Sequence, residues 1–376
     1  MSTLYIHCGM QKTGTTAIQH FLAANREVLK QNHAVYPDFS ELYDWISAKR
    51  NGHWLLKRNQ DGFLENGLAH ILKLAEQYDK ILLSDEQIWS MRAHDPEFWE
   101  LLDARLRAKG VQIIAVIYLR RQDEYLYSNW AQNVKSMVPS RFKTLTFSQY
   151  IEGGYHKMQR LDYDAMLNGI ASVLGRENMR VRVYERGQFA GAAHTITSDF
   201  LHVVGIPEDL DFTEPETETN ISLKDSVLEA KRCLNQLPGF SRTEHVQGDP
   251  YTWRLLKVQE ELKEEGKLKN RTGFSNAERR LLLKEYEAGN ARVAAEFLGR
   301  ADGTLFYDAV SDTDENDPAY TSEELVEVCG RMILDMQDKI DAQLSEISKL
   351  REQKKDLQRR LEAPVKYKVK KLLGRT

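Results

Sequence analysis

The chain opens with Leu4-Tyr-Ile-His-Cys8-Gly9-Met-Gln11-Lys12-Thr13-Gly14-Thr15-Thr16-Ala17-Ile18-Gln19-His20-Phe21-Leu22, and this stretch sets its architecture. A short apolar run of strand character breaks at Gly9. A loop with a second glycine and three hydroxyls follows, and a helical pattern starts at Ala17. Strand, glycine-rich loop and helix N-terminus make an anion cradle, because free backbone N–H groups and the helix dipole converge on one point. An ATP-type loop reads G-x-x-x-x-G-K-[ST]. Gly9 and Gly14 keep that spacing, but Thr15 stands where the lysine would be, and Lys12 lies inside the loop. The loop is expected to hold a phosphate without standard ATP chemistry. A turn that binds another phosphate, or nothing, fits the same spacing.

With 376 residues, 41% hydrophobic and 29% charged, the chain has room for one large domain and an appendage. A net charge of −4 argues against general nucleic-acid binding, so any anion site must be local. Cys8, Cys233 and Cys329 are too few and too far apart for a disulfide framework or a metal site, which favours a reducing compartment. A strand this near Met1 leaves no room for a signal peptide, and no apolar run is long enough to span a bilayer. A cytoplasmic protein is expected.

Further strands are read at Tyr78-Asp-Lys80-Ile-Leu-Leu-Ser84, at Val111-Gln-Ile-Ile-Ala-Val-Ile-Tyr-Leu119 and, more weakly, at Met179-Arg-Val-Arg-Val-Tyr184. The second is continuous and β-branched, as suits a central parallel strand covered on both faces. A helix is read near Tyr163 to Gly175. Strands alternating with helices predict an α/β fold with a largely parallel sheet, whose ligands bind beyond the carboxyl ends of the strands. Residues 222–300 read as charged helices, and Asn220-Ile-Ser222-Leu-Lys-Asp225 has helix-capping character. Residues 311–321 form an acidic linker. Over 322–362, Val326, Ile333, Ile340, Ile347, Lys354 and Leu361 take a-type heptad positions, and Cys329, Met336, Gln343, Leu350 and Leu357 take d. Nine of these eleven are apolar, which predicts a coiled coil, and Ile at a with Leu at d favours a parallel dimer. A helix packed back on the domain is the alternative. Pro364 is expected to end that helix. The tail, 363–376, carries five cations and no acid, a composition suited to anionic lipid, an acidic partner or simple solvation.

The loop G-x-x-K-T-G-T-T after an N-terminal strand resembles the 5′-phosphosulfate loop of sulfotransferases that use 3′-phosphoadenosine 5′-phosphosulfate (PAPS). A second resemblance follows the central strand in Arg120-Arg121-Gln-Asp-Glu-Tyr-Leu-Tyr-Ser128. Arg120 and Ser128 match the pair that grips the 3′-phosphate of PAPS in that family. The chemistry suits them, since guanidinium makes a bidentate grip on phosphate and serine adds a neutral donor. Tyr184, at the end of its strand, is similar to the family tyrosine that contacts adenine; a half-buried strand tyrosine is the plainer reading. Lys269-Asn-Arg271-Thr-Gly273 does not reproduce the family's Arg-Lys-Gly clamp and reads as a solvated basic loop.

The resemblance implies a P-loop-like three-layer domain over 1–310. Its donor would be PAPS, with no metal, held by Gly9, Gln11, Lys12, Thr13, Gly14, Thr15, Thr16, Arg120, Ser128 and Tyr184. It further implies transfer of a sulfuryl group to a hydroxyl of a carbohydrate acceptor. In style the chain looks like bacterial enzymes acting on polysaccharide, lipopolysaccharide or glycolipid. Transfer needs a base for the acceptor proton and a cation for the leaving phosphate. Lys12 suits the second role. Glu86, after the strand ending Ser84-Asp85, is the first candidate base, and His53 is its rival; Asp85 or Glu86 could instead cap a helix. A P-loop small-molecule kinase and an inactive scaffold are the competing readings.

Overall fold

In the computed structural model, residues 2–57, 62–136, 140–215, 222–237, 240, 251–269, 271–313 and 320–372 are described. The chain alternates from its start: β1 (Ser2–Gly9), α1 (Thr15–Ala24), α2 (Arg26–Gln31), β2 (Ala34–Val35), α3 (Phe63–Ala75) and β3 (Lys80–Ser84). There follow α4 (Gln87–Arg92), α5 (Pro96–Arg107), β4 (Val111–Leu119), α6 (Gln122–Lys135), α7 (Phe147–Glu152), α8 (Tyr163–Leu174), β5 (Met179–Val183) and α9 (Ile196–Val204). The rest is helical: α10 (Asp225–Leu234), α11 (Thr252–Glu264), α12 (Asn276–Lys284), α13 (Glu287–Leu298) and α14 (Ser322–Leu372). By contacts the chain divides into one unit of 1–133, 145–220 and 272–317, and a second of 134–144, 221–271 and 318–376.

The first unit is an α/β fold. Its five strands are all parallel, in the order β2-β3-β1-β4-β5. β1 and β4 sit centrally and are largely buried on both faces, so helices must cover both sides. Ile18, Phe21 and Leu22 of α1, Leu29 of α2 and Phe200, Leu201 and Val204 of α9 pack with Leu82, Ile114, Val116 and Tyr118 on one face. α3, α4, α5, α8 and α13 pack against the strands apart from that cluster. The helix starts carry their signals in sequence. Asp95, Asp162 and Thr195 accept from the backbone N–H three residues on, and Thr146 and Ser275 form complete capping boxes.

The second unit is helical. Asn220 and Ile221 lie outside the described residues, and the expected cap does not form at Asp225. That carboxylate is buried and accepts instead from Arg271, at 2.9 Å from Nε. Arg271 also pairs with Glu324 at 2.8 Å and is 4% exposed, so this part of the basic segment is a buried ion-pair node rather than a solvated loop. Asn270 lies outside the described residues, as do 314–319 of the acidic linker.

α14 corrects one expectation. It runs through residue 364 to Leu372, so Pro364 does not end it. A proline inside a helix forfeits one backbone hydrogen bond without necessarily ending the helix. Its first turns also pack within the unit. Val328 and Met332 are buried, Arg331 pairs with Glu265 at 2.7 Å, and Asp335 pairs with Arg254 and Lys257. Cys329 and Met336 are half-buried there, while every described side chain from Gln337 to Leu361 is exposed. No described helix is long and apolar enough to cross a membrane.

Candidate active site

Four strand ends carry the site. β1 ends at Gly9, with a change of register against β4 between His7 and Gly9. Gly9 has φ +81°, and a Cβ there would lie 2.6 Å from the Cα of Glu86. Glycine at this position therefore lets the loop start press directly on the carboxylate-bearing turn after β3. Lys12 and Gly14 are also left-handed, at φ 64° and 76°. Thr13 is buried and donates to Met10 O at 2.6 Å, which closes the loop on itself. Gly14 is the N-cap of α1 and offers no side-chain acceptor, so Thr15 and Thr16 begin a helix whose first N–H groups lack a side-chain cap. A Cβ at Gly14 would lie 3.1 Å from both Ile196 and the Tyr184 ring.

Arg120, just past β4, reaches back to this loop. Its NH1 donates to Lys12 O at 2.9 Å and its Nε to Glu124 at 3.3 Å. Its guanidinium carbon lies 5.7 Å from the centroid of the Tyr184 ring. Tyr163 donates to Arg120 O at 2.6 Å and Tyr184 N to Leu119 O at 2.7 Å, so the arginine sits between fixed backbone points. Lys12 Nζ donates to Gln132 Oε1 at 3.0 Å. Glu124, Ser128 and Gln132 are successive i, i+4 positions on α6 and share one face. Since Arg120 meets the first and Lys12 the third, half-buried Ser128 lies on the stripe between two cations. Gln11 is half-buried in the same loop.

Beyond β3 is a second cluster. Asp85 is fully buried; both its oxygens accept from Arg50 NH2 at 2.9 Å, and His53 Nδ1 faces Oδ2 at 2.9 Å. Asp85 Oδ1 also accepts from Gln87 N at 2.8 Å, so this residue, rather than Glu86, serves the start of α4. Glu86 accepts from Gln19 Nε2 at 3.0 Å and lies 3.4 Å from Arg50 NH2. The turn bearing His53 is tied to β3 by Asn51, which accepts from Ser84 N and donates to Leu82 O, and by Gly52 N donating to Ser84 O at 3.2 Å. Trp45, 37% exposed, stands edge-on to His53 with ring centroids 5.9 Å apart. Both candidate bases thus share Arg50, which belongs to none of the sequence motifs. Arg50 lies three residues before His53 on one turn, and that spacing was the available signal.

His7 was also missed. Its Nδ1 lies 2.8 Å from Ser84 Oγ, which accepts from Gln19 at 3.3 Å, so His7, Ser84, Gln19 and Glu86 form one chain of contacts. Burial pushes His7 down to about 3, with the Asp85 charge opposing only in part. In the unfolded chain this imidazole takes a proton below about pH 6.5, whereas the folded chain refuses it until about 3. Stability is therefore lost as pH falls through that window, at up to about 1.4 kcal/mol per pH unit. Urea unfolding of the native chain and His7→Gln near neutrality and near pH 4.5 is expected to show a flatter pH dependence in the variant. Equal slopes would refute the assignment.

A cavity of about 440 Å³ in the same unit adjoins Arg121, with Arg280, Leu283, Asn290 and Phe306 among its walls. Glu124 joins it to the loop, lying 3.3 Å from both Arg121 NH2 and Arg120 Nε. Among the described residues no cluster of His, Cys, Asp and Glu could hold a metal ion.

No protein-family model matches the chain. A stretch of 187 residues is 28% identical to an uncharacterized protein of Archaeoglobus fulgidus, covering 49% of this chain. The match spans 45% of that relative's length. Among solved structures, a sulfotransferase from Alicyclobacillus acidocaldarius is a weak match, with a TM-score of 0.37 and 14% identity over 57% of this chain and 86% of that one.

Proposed function

We propose that the chain is a PAPS-dependent sulfotransferase acting on a carbohydrate hydroxyl. The observation that carries this reading is the single stripe of α6 on which Arg120 and Lys12 meet Glu124 and Gln132 with Ser128 between them. A donor phosphorylated at both ends needs two anion sites at a fixed spacing. The Gly9–Thr16 loop is the first, and Arg120 with Ser128 is the second. The fit is supported by the left-handed, side-chain-free positions at Gly9 and Gly14 and by the uncapped start of α1. Gln11, Thr13, Thr15 and Thr16 complete the loop, and Tyr184 would border the nucleotide beside Arg120.

In the proposed reaction the acceptor oxygen bonds to sulfur as the bond from sulfur to the 5′-phosphate oxygen breaks. The acceptor proton passes to a base, and 3′-phosphoadenosine 5′-phosphate leaves. Glu86 is the proposed base, because Gly9 brings it against the loop; Lys12 stabilises the charge growing on the leaving phosphate. His53, oriented by Asp85, is the competing base. A carbohydrate acceptor is supported by Trp45, a partly exposed aromatic side chain next to His53 of the kind against which a sugar ring can lie.

Calorimetry tests the donor assignment. 3′-Phosphoadenosine 5′-phosphate is expected to bind at least about tenfold more tightly than AMP, the return on one charge-assisted phosphate contact. Equal affinities would overturn it, and Mg-ATP binding in preference to both would point to a kinase.

A further inference from the structure

α14 leaves an apolar stripe uncovered. Upstream of Gln337 its d-type residues Cys329 and Met336 are half-buried within its own unit, and just beyond it Lys339 lies over the Trp253 ring of α11. Downstream, Ile340, Ile347, Leu350, Leu357 and Leu361 are each 44–72% exposed. They sit at a and d positions of a continuous heptad register, so they line one side of a straight helix. From Ile340 to Leu361 this stripe is about 33 Å long at 1.5 Å per residue. Its pattern describes its own partner. Ile340 and Ile347 at a with Leu350 and Leu357 at d favour two strands, and Lys354 at a costs stability.

The flanking charges choose the direction. In a parallel, in-register pair the g position of one helix faces the e position five residues on in the other, so Glu346 meets Arg351 of the second copy, twice by symmetry. In the antiparallel alignment that stacks the same apolar layers, Glu346 faces Gln353 and Arg351 faces Leu344, and the complementary pair is lost. Gln343 at d then fixes register: aligned copies bring the two amides together, whereas a slip of one heptad sets Gln343 against Leu350.

We propose that Ile340–Leu361 is a homodimerisation seam, occupied by the same segment of a second copy in parallel and in register. The helix upstream is left out of the seam, because its d positions Cys329 and Met336 are half-buried inside its own unit and, of its a and d positions, only Val326 and Ile333 at a are exposed. This inference stands independently of the chemistry proposed above.

Sedimentation equilibrium of the full chain tests it. The native chain is expected to dimerise in a concentration-dependent manner. Glu346→Arg and Arg351→Glu are each expected to weaken the dimer about threefold to tenfold, since exposed ion pairs are individually modest. The double exchange E346R/R351E is expected to restore it. Leu350→Glu, at an exposed position that leaves folding intact by circular dichroism, is expected to abolish dimerisation. A native chain that stays monomeric throughout overturns the seam, including the case in which a different protein covers it. A dimer insensitive to Leu350→Glu overturns it equally. A double exchange no tighter than the single variants overturns the parallel register.

Discussion

Glu86→Gln is expected to lower turnover by about 10²–10⁴-fold while leaving 3′-phosphoadenosine 5′-phosphate affinity unchanged. The substitution keeps shape and an oxygen that can still accept from Gln19, whose amide lies 3.0 Å away. It removes the basic lone pair and the negative charge near Arg50 NH2, at 3.4 Å. In the proposed site the nucleotide is held by the loop, Arg120 and Ser128 rather than by Glu86, so a loss confined to kcat identifies a proton acceptor. The neighbouring cluster makes the control informative. His53 is held by buried Asp85 at 2.9 Å, the arrangement in which a carboxylate orients an imidazole base. An active Glu86→Gln protein together with an inactive His53→Gln protein would transfer the base role to His53. Activity surviving both would remove this cluster from the chemistry.

Arg120→Ala is expected to weaken 3′-phosphoadenosine 5′-phosphate by about 10- to 150-fold, from roughly 1.5–3 kcal/mol for a charge-assisted contact. Part of any loss will be indirect, because Arg120 NH1 also donates to Lys12 O at 2.9 Å and so braces the loop. The ratio of 3′-phosphoadenosine 5′-phosphate to AMP affinity separates the two effects. Loosening the loop weakens both nucleotides, whereas losing a 3′-phosphate contact collapses the ratio towards one. Arg120→Lys restores charge without the planar fork and is expected to recover only part of the ratio. A ratio unchanged in Arg120→Ala would remove the 3′-phosphate role from this residue.

Much of the scaffold was legible because its signals are local. The strand read at 78–84 contains β3 and the run at 111–119 coincides with β4, and the break at Gly9 marks the end of β1. β2, two residues long, offered no period to detect. The heptads of α14 were equally plain, but which of its apolar positions face solvent was not. Half-burial of the d-type Cys329 and Met336 within the unit, beside buried Val328 and Met332, sets them apart from the exposed positions beyond Gln337, and a period says nothing about what lies against it.

By itself, the sequence determined the parallel α/β order, the displaced lysine in a glycine-bounded loop, and a long amphipathic helix. These follow from nearest-neighbour chemistry: periodicity, backbone freedom at glycine, and the residues that start helices. Only the tertiary structure decided that Arg50 serves both Asp85 and Glu86, that His7 is sealed beneath Ser84 and Gln19, and that Arg271 is spent on Asp225 and Glu324. Those pairings join residues between 35 and 77 positions apart, and some bury a charge; both depend on where separate elements meet. A charged side chain looks alike in sequence whether it awaits a ligand or neutralises a neighbour; the fold makes the difference by choosing which opposite charge lies within reach and how much water remains between them.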